Sequence, residues 1–360
     1  MSSASPRVLQ LAVAGAGTIG RRHVELIQAS ARTRLSAVVD PAAASGSFAA
    51  SLGVPHFASL EALFAGPGTA KPDGVILATP NHLHVPGALV CAQHGVPALI
   101  EKPVADSLEA GRRLVDALEK QPVPMLVGHH RRHSSTLQTA RRAIRAGRLG
   151  RVVTVMGSAQ FYKPASYFEE GAWRKEAGGG PILINLIHEM DNLRYLCGEI
   201  ASVHALASNG VRQFAVEDTV VMTLKFASGA LGTFTLSDTA ASPRSWEQTS
   251  GENTAYARYP SEDCYFIAGT QGSLAVPTLR CWSYAAGESQ PGWWTPFVEE
   301  KLPVEAVDPL AAQLAHFCDL IEGKAAPIIS VTDALQSLLA VEAVRRSIAT
   351  GQTVALQDLT

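Results

Sequence analysis

The sequence predicts an α/β chain in two parts: an N-terminal doubly wound parallel sheet, then a C-terminal α/β region built on an open, mainly antiparallel sheet. Three observations predict it. Apolar runs and helical stretches alternate from residue 8 to about residue 128, a glycine-rich turn stands directly after the first run, and β-rich runs crowd together beyond residue 150. The division expected is 1–128, then 129–330, then a helix and tail over 331–360 that pack back on the first domain.

Val8 to Ala14 is the first strand, and Gly15-Ala16-Gly17-Thr18-Ile19-Gly20 follows at once in the spacing G-x-G-x-x-G. Gly15 permits the tight turn, Gly17 lets the backbone approach a pyrophosphate, and Gly20 lets the next helix pack close to its strand. That helix runs from about Thr18 to Gln28, so Thr18 and Ile19 open it with unpaired N–H groups facing the phosphates. A second strand, Leu35 to Val39, delivers Asp40 twenty residues after Gly20. A carboxylate there accepts hydrogen bonds from both hydroxyls of an adenosine ribose and repels a 2′-phosphate, so the cofactor expected is NAD. A bare glycine pattern recurs in ordinary loops; the order strand, turn, helix, strand, acid separates this one from them. Arg21 and Arg22, in the first helical turn, either touch phosphate or point into water.

The alternation continues with helices over 42–52 and 60–64, a buried strand over 74–78, and a helix over 82–94 with Pro86 in its first turn. A strand over 97–100, a helix over 107–120 and a strand over 124–127 follow. Six strands, counting one left unplaced between the second strand and residue 74, make the parallel sheet with their intervening helices. After residue 130 the pattern changes: a helix over 136–146, ended by Gly147, precedes strands over 151–161, 201–208, 217–226 and 230–237. Gly229 marks a hairpin, and one helix, Pro181 to Cys197, interrupts the strands. Residues 238–262 and 284–306 are rich in Ser, Gly, Pro and aromatics and read as functional or interfacial loops, with Trp246, Trp293 and Trp294 covering a pocket or a neighbouring subunit. Two helices, about 308–322 and 332–349, close the chain.

Composition narrows the function classes. Of 360 residues, 47% are apolar and 17% charged, the balance of a compact soluble protein. A formal net charge of −2 recruits neither nucleic acid nor an anionic membrane. The five cysteines (Cys91, Cys197, Cys264, Cys281, Cys318) are scattered without C-x-x-C spacing, as suits reduced thiols of a cytoplasmic protein. The apolar run behind Met1 to Arg7 is too short for a signal peptide and continues into the glycine turn. No apolar stretch reaches the roughly 18 residues of a membrane span.

In open parallel sheets the ligand lies beyond the carboxyl ends of the strands. Three stretches fall there. Thr79-Pro80-Asn81-His82-Leu83-His84 places Thr79, Asn81 and His84 to line ribose and nicotinamide. Glu101-Lys102-Pro103 has a proline that rigidifies its turn, through a cis bond if it adopts one, and so fixes the Lys102 side chain. The third is His129-His130-Arg131-Arg132-His133.

Together with Gly178-Gly179-Gly180 and the helix that carries His188, these motifs resemble the Gfo/Idh/MocA oxidoreductase family over roughly residues 8 to 350. The resemblance implies a Rossmann domain and an α/β domain whose open sheet makes subunit contacts, hence a homodimer or homotetramer. It implies nicotinamide-dependent chemistry at a hydroxyl of a sugar, polyol or cyclitol-like ring. It also implies that Lys102 contacts cofactor and substrate, with Glu101 beside it, and that His188 handles the hydroxyl proton.

The chemistry of these residue types agrees. Oxidising a secondary alcohol sends a hydride to the nicotinamide and needs a base for the O–H proton, and a histidine with an ordinary pKa near 6.5 suits that task. Lys102 can stabilise developing alkoxide charge, and can share the proton where desolvation lowers its pKa. Where relatives often carry Asp, four residues before His188, this chain has Ile184. Asn185, three residues before His188, shares its face on a regular helix and can orient a substrate hydroxyl, though it cannot take a proton. Asp191 either orients the imidazole or sits on the helix surface.

Blander readings stand beside these. Lys102 can be a solvated turn residue, and His188 a satisfied core histidine. His129 and His133 form an i, i+4 pair, but Arg131 and Arg132 between them oppose a cation and no companion carboxylate or cysteine is near, so no metal is expected. Seven arginines and no acid lie from Arg131 to Arg151; without interleaved aromatics they read as a solvated helix face and not as a nucleic-acid surface. Arg131 is the one that would reach the site and favour a substrate with a carboxylate. Tyr162, Trp173 and Arg174 either bind a ring or pack. The polyhydroxy substrate expected is therefore a sugar, cyclitol or hydroxylated ring acid. Two other functions use the same motifs: glycoside hydrolysis through transient oxidation with tightly held NAD, and a non-catalytic NAD-sensing regulator, against which the retention of Lys102 and His188 argues.

Overall fold

The structure, a computed structural model, describes residues 7–65, 71–285, 287–288 and 290–359, so Met1 to Pro6 of the expected leading segment lie outside the described residues. The chain forms two compact units. One takes in Met1–His133 with Pro309–Leu338, the other Ser134–Asp308 with Leu339–Thr360.

The first unit begins with β1 (Leu9–Ala14), buried at every position except Gln10 because it is a central strand covered on both faces. In α1 (Thr18–Ala29) the buried positions Gly20, His23, Val24 and Ile27 form one stripe at helical spacing. Then follow β2 (Thr33–Val39), α2 (Ala43–Ser51), β3 (His56–Phe57), α3 (Leu60–Ala65) and β4 (Gly74–Leu77). A single 3-10 turn, Asn81–Leu83, leads into α4 (His84–Gln93), with Pro86 in its first turn as expected. After β5 (Ala98–Ile100) comes α5 (Leu108–Lys120), whose N-terminus is capped by Ser107 accepting from the Ala110 N–H, and then β6 (Met125–Val127). All six strands are parallel, in the order β3-β2-β1-β4-β5-β6. The order reverses between β1 and β4, which opens a crevice at the carboxyl end of β1.

The second unit starts at α6 (Ser135–Arg145), capped by the Ser134 hydroxyl, followed by β7 (Val152–Gln160) and α7 (Ala165–Glu169). The predicted helix over 181–197 divides: Ile182–Leu186 is a π turn, and only α8 (Ile187–Cys197) is α-helical. Then come β8 (Ile200–Ser208), β9 (Thr219–Phe226), β10 (Leu231–Ser237) and the short α9 (Trp246–Thr249). Four successive strands after α9 were not anticipated: β11 (Tyr265–Gly269), β12 (Gly272–Val276), β13 (Arg280–Ser283) and β14 (Val298–Lys301), the last inside an expected loop. Two helices, α10 (Pro309–Ile321) and α11 (Val331–Thr350), and the two-residue β15 (Val354–Ala355), also not anticipated, complete the chain.

The second sheet has nine strands in the order β14-β13-β12-β11-β7-β10-β9-β8-β15. Every pair is antiparallel except β7 with β10, whose carboxyl ends therefore lie together. One face is apolar and buried, through Val155, Phe234, Val220, Met222, Tyr265 and Ile267, and every residue of α8 is buried. The opposite face stays open, with Met156 58%, Leu206 60%, Leu231 58% and Val221 46% exposed.

The C-terminus departs from the expected division. The first unit takes α10 and α11 up to Leu338, but the chain from Leu339 belongs to the second unit. The reason is hydrogen bonding: β15 adds to the edge of β8, and the Ser347 hydroxyl accepts from the Ala205 N–H at 2.9 Å.

Candidate active site

The three glycines of the first turn differ in what surrounds them. Gly15 has φ +95°, and a Cβ there would stand 2.3 Å from the Ala78 carbonyl oxygen; at Gly20 it would stand 1.9 Å from that of Gly15. At Gly17 a Cβ meets nothing within 4 Å. Gly15 and Gly20 are thus demanded by the fold, whereas Gly17 faces open space, and Gly17, Thr18 and Ile19 are all exposed while their neighbours are buried. The helix starting at Thr18 brings its first N–H groups to the same opening. Arg21 folds back, its Nε donating to the Ala16 carbonyl at 3.1 Å and its guanidinium lying 4.0 Å from the Phe48 ring centre. Arg22 pairs with Glu25 at the surface.

Asp40 closes this turn from the end of β2. Its Oδ2 accepts from the Ala16 N–H and its Oδ1 from the Ala42 N–H, each at 2.8 Å. Burial alone would raise the carboxyl, but these N–H groups, the Ser45 hydroxyl and His56 hold it below the usual range, so it is ionised at neutral pH. Beside it lies a cavity of about 190 Å³ lined by Val39, Ser59, Leu60, Glu61, Pro86 and Val90 among others. The sequence reading missed Ser59 to Glu61, because they follow a strand of only two residues, β3, that no apolar run announces. At the end of β4, the Thr79 Oγ1 is buried with no hydrogen-bond partner among the described residues, and Asn81 is exposed. An uncapped helix start, an ionised acid at the end of β2, an orphaned hydroxyl and an empty approach at Gly17 together fit a dinucleotide.

The Glu101-Lys102-Pro103 turn follows β5, and its Lys102–Pro103 peptide is cis. Lys102 is half-buried. Glu101 is 6% exposed and accepts from Nε2 of His23 in α1 at 2.8 Å. Burial would raise this carboxyl, but the His23 hydrogen bond and the charges of His23, Lys102 and His130 hold it at about 2. His23 is a second residue that sequence reasoning missed; the signal was a polar side chain inside the apolar stripe of α1, which needs a buried partner.

His84 is placed differently from expectation. It is 1% exposed, with Nδ1 2.7 Å from the Pro103 carbonyl and Nε2 2.9 Å from that of Thr79. Two carbonyl acceptors favour the cation, yet burial outweighs them and lowers the pKa. His84 therefore braces the turns after β4 and β5 against each other instead of facing a ligand.

After β6, Arg131, Arg132 and His133 are buried, so the arginine run is not a uniformly solvated face. Arg132 pairs with Asp333 at 3.2 Å. His316 Nε2 donates to the Ala326 carbonyl, so its Nδ1 accepts from His133 Nε2 at 2.9 Å, and burial pushes the His133 imidazole down to about 3. Further along, Arg141 stacks on Tyr195 at 3.8 Å while Arg142, Arg145, Arg148 and Arg151 are exposed. Among the described residues no group of three or more His, Cys, Asp or Glu side chains is placed to hold a metal ion, and no helix is long and apolar enough to cross a membrane.

In the second unit His188 is 8% exposed on α8. Asn185 belongs to the π turn before it and is half-buried. The i→i+5 turn is wider than 3.6 residues, so the simple i, i+3 alignment of Asn185 with His188 does not carry over, and the π turn is of the kind found at functional sites. Asp191 is not on the helix surface: it is 1% exposed, 3.8 Å from Arg194. The turn is anchored from below by Glu217, whose Oε1 accepts from the Ile182 N–H at 2.9 Å. Tyr162 and Trp173 are 61% and 56% exposed, so core packing is not their role. Arg174 stacks on Tyr167 at 3.9 Å.

One residue of this region escaped the sequence reading altogether. Lys163, 6% exposed at the shared carboxyl end of β7 and β10, donates from Nζ to Asn185 Oδ1 at 2.7 Å. Asp238 Oδ2 is 3.7 Å from the same ammonium, and Arg212 Nε donates to Asp238 Oδ1 at 2.7 Å. Burial lowers the Lys163 pKa to about 8 against the pull of Asp238 and Glu247. The signal in the sequence was a lone lysine between Tyr162 and Pro164 just past a strand end.

Comparison with known proteins places these features. Two models of one family match the chain: the oxidoreductase family NAD-binding Rossmann fold over residues 9–129, and the GFO/IDH/MocA C-terminal domain over residues 137–275. The chain is 29% identical over 358 residues to 1,5-anhydro-D-fructose reductase of Ensifer adhaerens, covering 95% of this chain and 97% of that one. It is 25% identical over 351 residues to inositol 2-dehydrogenase of Rhizobium meliloti (strain 1021), with the same coverage of 95% and 97%. Among solved structures, the WlbA dehydrogenase from Bordetella pertussis in complex with NADH and UDP-GlcNAcA superposes with a TM-score of 0.75 at 26% identity, covering 97% and 99% of the two chains. An oxidoreductase from Agrobacterium radiobacter in complex with NAD+, L-tartaric acid and magnesium shares the fold, with a TM-score of 0.80 at 20% identity and coverage of 98% and 99%.

Proposed function

Since the chain belongs to the Gfo/Idh/MocA family of NAD-dependent oxidoreductases, we propose that it oxidises a secondary hydroxyl, or reduces the matching ketone, of a sugar, polyol, cyclitol or hydroxylated ring acid. The observation that carries the reading is the array at the carboxyl ends of β1, β4 and β5: the Asp40-closed glycine turn, Thr79, and the Glu101-Lys102-Pro103 turn held by His23 and His84. The names of relatives that act on anhydrofructose and inositol support the substrate class.

Gly15, Gly17, Thr18, Ile19, Gly20 and Asp40 hold the pyrophosphate and adenosine ribose, and Thr79, Asn81 and Lys102 the nicotinamide end. When bound, NAD supplies the hydride acceptor. His188 takes the proton of the substrate hydroxyl, and Lys102 stabilises the negative charge that develops on that oxygen. Asn185 orients the substrate, Arg131, Tyr162 and Trp173 contact it, and Glu101 and His84 fix the Lys102 turn.

The open face of the second sheet supports assembly as a homodimer or homotetramer, because four large apolar side chains there are between 46% and 60% exposed. Steady-state NADH formation against a panel of sugars, cyclitols and ring acids tests the function. Turnover of at least one ring alcohol is expected, with loss of that turnover in His188→Ala; free sugar released from chromophoric glycosides without net NADH would overturn it.

A further inference from the structure

Lys163 has no part in the function proposed above, yet its ammonium holds the side chain assigned to orient the substrate. The contact between Nζ and Asn185 Oδ1, at 2.7 Å, decides which way the amide points. An ammonium carries only donors, so the amide atom facing it is the oxygen, and the orientation follows from chemistry instead of from an arbitrary choice between O and N. With Oδ1 committed, the two N–H bonds of Nδ2 point away from Lys163. Among the described residues the Asn185 side chain makes no other hydrogen bond, and the residue is half-buried instead of sealed.

The ammonium is itself held in place. Asp238 lies 3.7 Å from it on one side, and Asp238 is in turn fixed by Arg212 at 2.7 Å. The rings of Phe161 and Tyr167 stand 5.4 and 5.0 Å from Nζ, a distance at which their faces attract a cation. The Lys163 N–H donates to the Asp238 carbonyl at 2.9 Å, so backbone and side chain are anchored together.

We propose that Lys163 locks Asn185 as a hydrogen-bond donor toward the substrate, so that this position reads an oxygen that can only accept, the carboxylate of a ring acid, in preference to a hydroxyl. The inference rests on the oxidoreductase reading and names the substrate class for the same site. Two physical effects set the preference. An N–H bond to a carboxylate is charge-assisted and about twice as strong as one to a neutral oxygen. A hydroxyl in the same place also needs an acceptor for its own hydrogen, which the locked amide withholds. Lys163 is a positioning residue in this scheme; it acts through Asn185.

Two measurements test it. The chain has five asparagines, so protein labelled with heavy nitrogen at asparagine gives five side-chain amide pairs, and Asn185→Asp identifies the one that belongs to residue 185. In Lys163→Met that pair is expected to shift and to exchange between two orientations, while Lys163→Arg keeps it near the native position; an unchanged pair in Lys163→Met overturns the lock. The second measurement compares kcat and KM with NAD for glucuronate against glucose and galacturonate against galactose. The native protein is expected to favour the acids by about tenfold or more in kcat/KM, a difference of ~1.4 kcal/mol. Lys163→Met is expected to erase the preference mainly through KM, Lys163→Arg to restore it, and Asn185→Asp to reverse it. Turnover of the neutral sugars equal to or above that of the acids overturns the inference and leaves the oxidoreductase reading standing. No NADH from any ring alcohol or acid sinks that reading, and the substrate class with it, while the amide pair still decides the lock.

Discussion

The backbone N–H of Ala16 donates to Oδ2 of Asp40 at 2.8 Å, across 24 residues of chain, so the acid proposed to read the ribose also closes the glycine turn. Replacing Asp40 with Ser therefore does two things. It removes the charge that repels a 2′-phosphate and loosens the turn. NAD affinity is expected to fall, and the preference for NAD over NADP to shrink by about tenfold or more, as read from Kd values for the two nucleotides.

Gly17 and Gly20 separate binding from folding. A Cβ at 20 would stand 1.9 Å from the Gly15 carbonyl, whereas one at 17 meets nothing. Gly20→Ala is expected to cost roughly 4 kcal/mol or more of stability, among the largest effects of a single substitution. Gly17→Ala is expected to keep its thermal midpoint in the absence of NAD and to weaken NAD binding by at least about tenfold. Equal NAD affinities in Gly17→Ala and the native protein would move the pyrophosphate elsewhere.

Glu101 gives the fold a defined acid limit. Its carboxyl lies at about 2, below the ordinary value of 4.5, so it contributes stability that is fully present above about pH 4.5 and is lost as pH falls toward 2. His23→Leu removes the hydrogen bond that helps to hold it there. The variant is expected to lose about 1–3 kcal/mol at neutral pH and to begin acid unfolding at a higher pH, as followed by urea midpoints from pH 7 downward.

Lys102→Met keeps the length of the side chain and removes its charge. For a group that stabilises charge in the transition state, kcat is expected to fall by about two to four orders of magnitude, and by a similar amount in His188→Ala. NAD binding should survive in both variants, which fluorescence titration checks. A drop confined to NAD affinity would make either residue a cofactor contact only.

Met156 and Leu231 stand on the open face of the second sheet, 58% exposed each, on strands that pair directly. Placing lysine at both positions is expected to dissociate a homo-oligomer at micromolar concentration without unfolding the subunit. Sedimentation velocity would show the shift, and an unchanged particle size would move the interface off this face.

Much of the first unit was legible in the sequence. The glycine spacing, Asp40 and the Glu101-Lys102-Pro103 turn were read where they stand, because each is a local pattern whose cause is backbone geometry. What was not legible depends on distant partners. β3 is two residues long and exists only through pairing with β2. His23 finds Glu101 78 residues away, and Lys163 finds Asn185 22 residues away. The π turn at Ile182–Leu186 has no composition signal, and β11 to β14 lack the clean alternation that marked β9, whose exposed and buried positions take turns. α11 reads as one uninterrupted helix although its two ends belong to different units, since periodicity carries no information on which neighbour a face will meet.

The nine-stranded sheet ends on one side at β14, Val298-Glu299-Glu300-Lys301, exposed along its whole length, and on the other at β15, which is two residues long. A charged rim and a stub offer little template for a foreign strand. The two borders therefore disfavour the edge-to-edge continuation of one sheet by another, the route by which an unprotected border propagates into fibres.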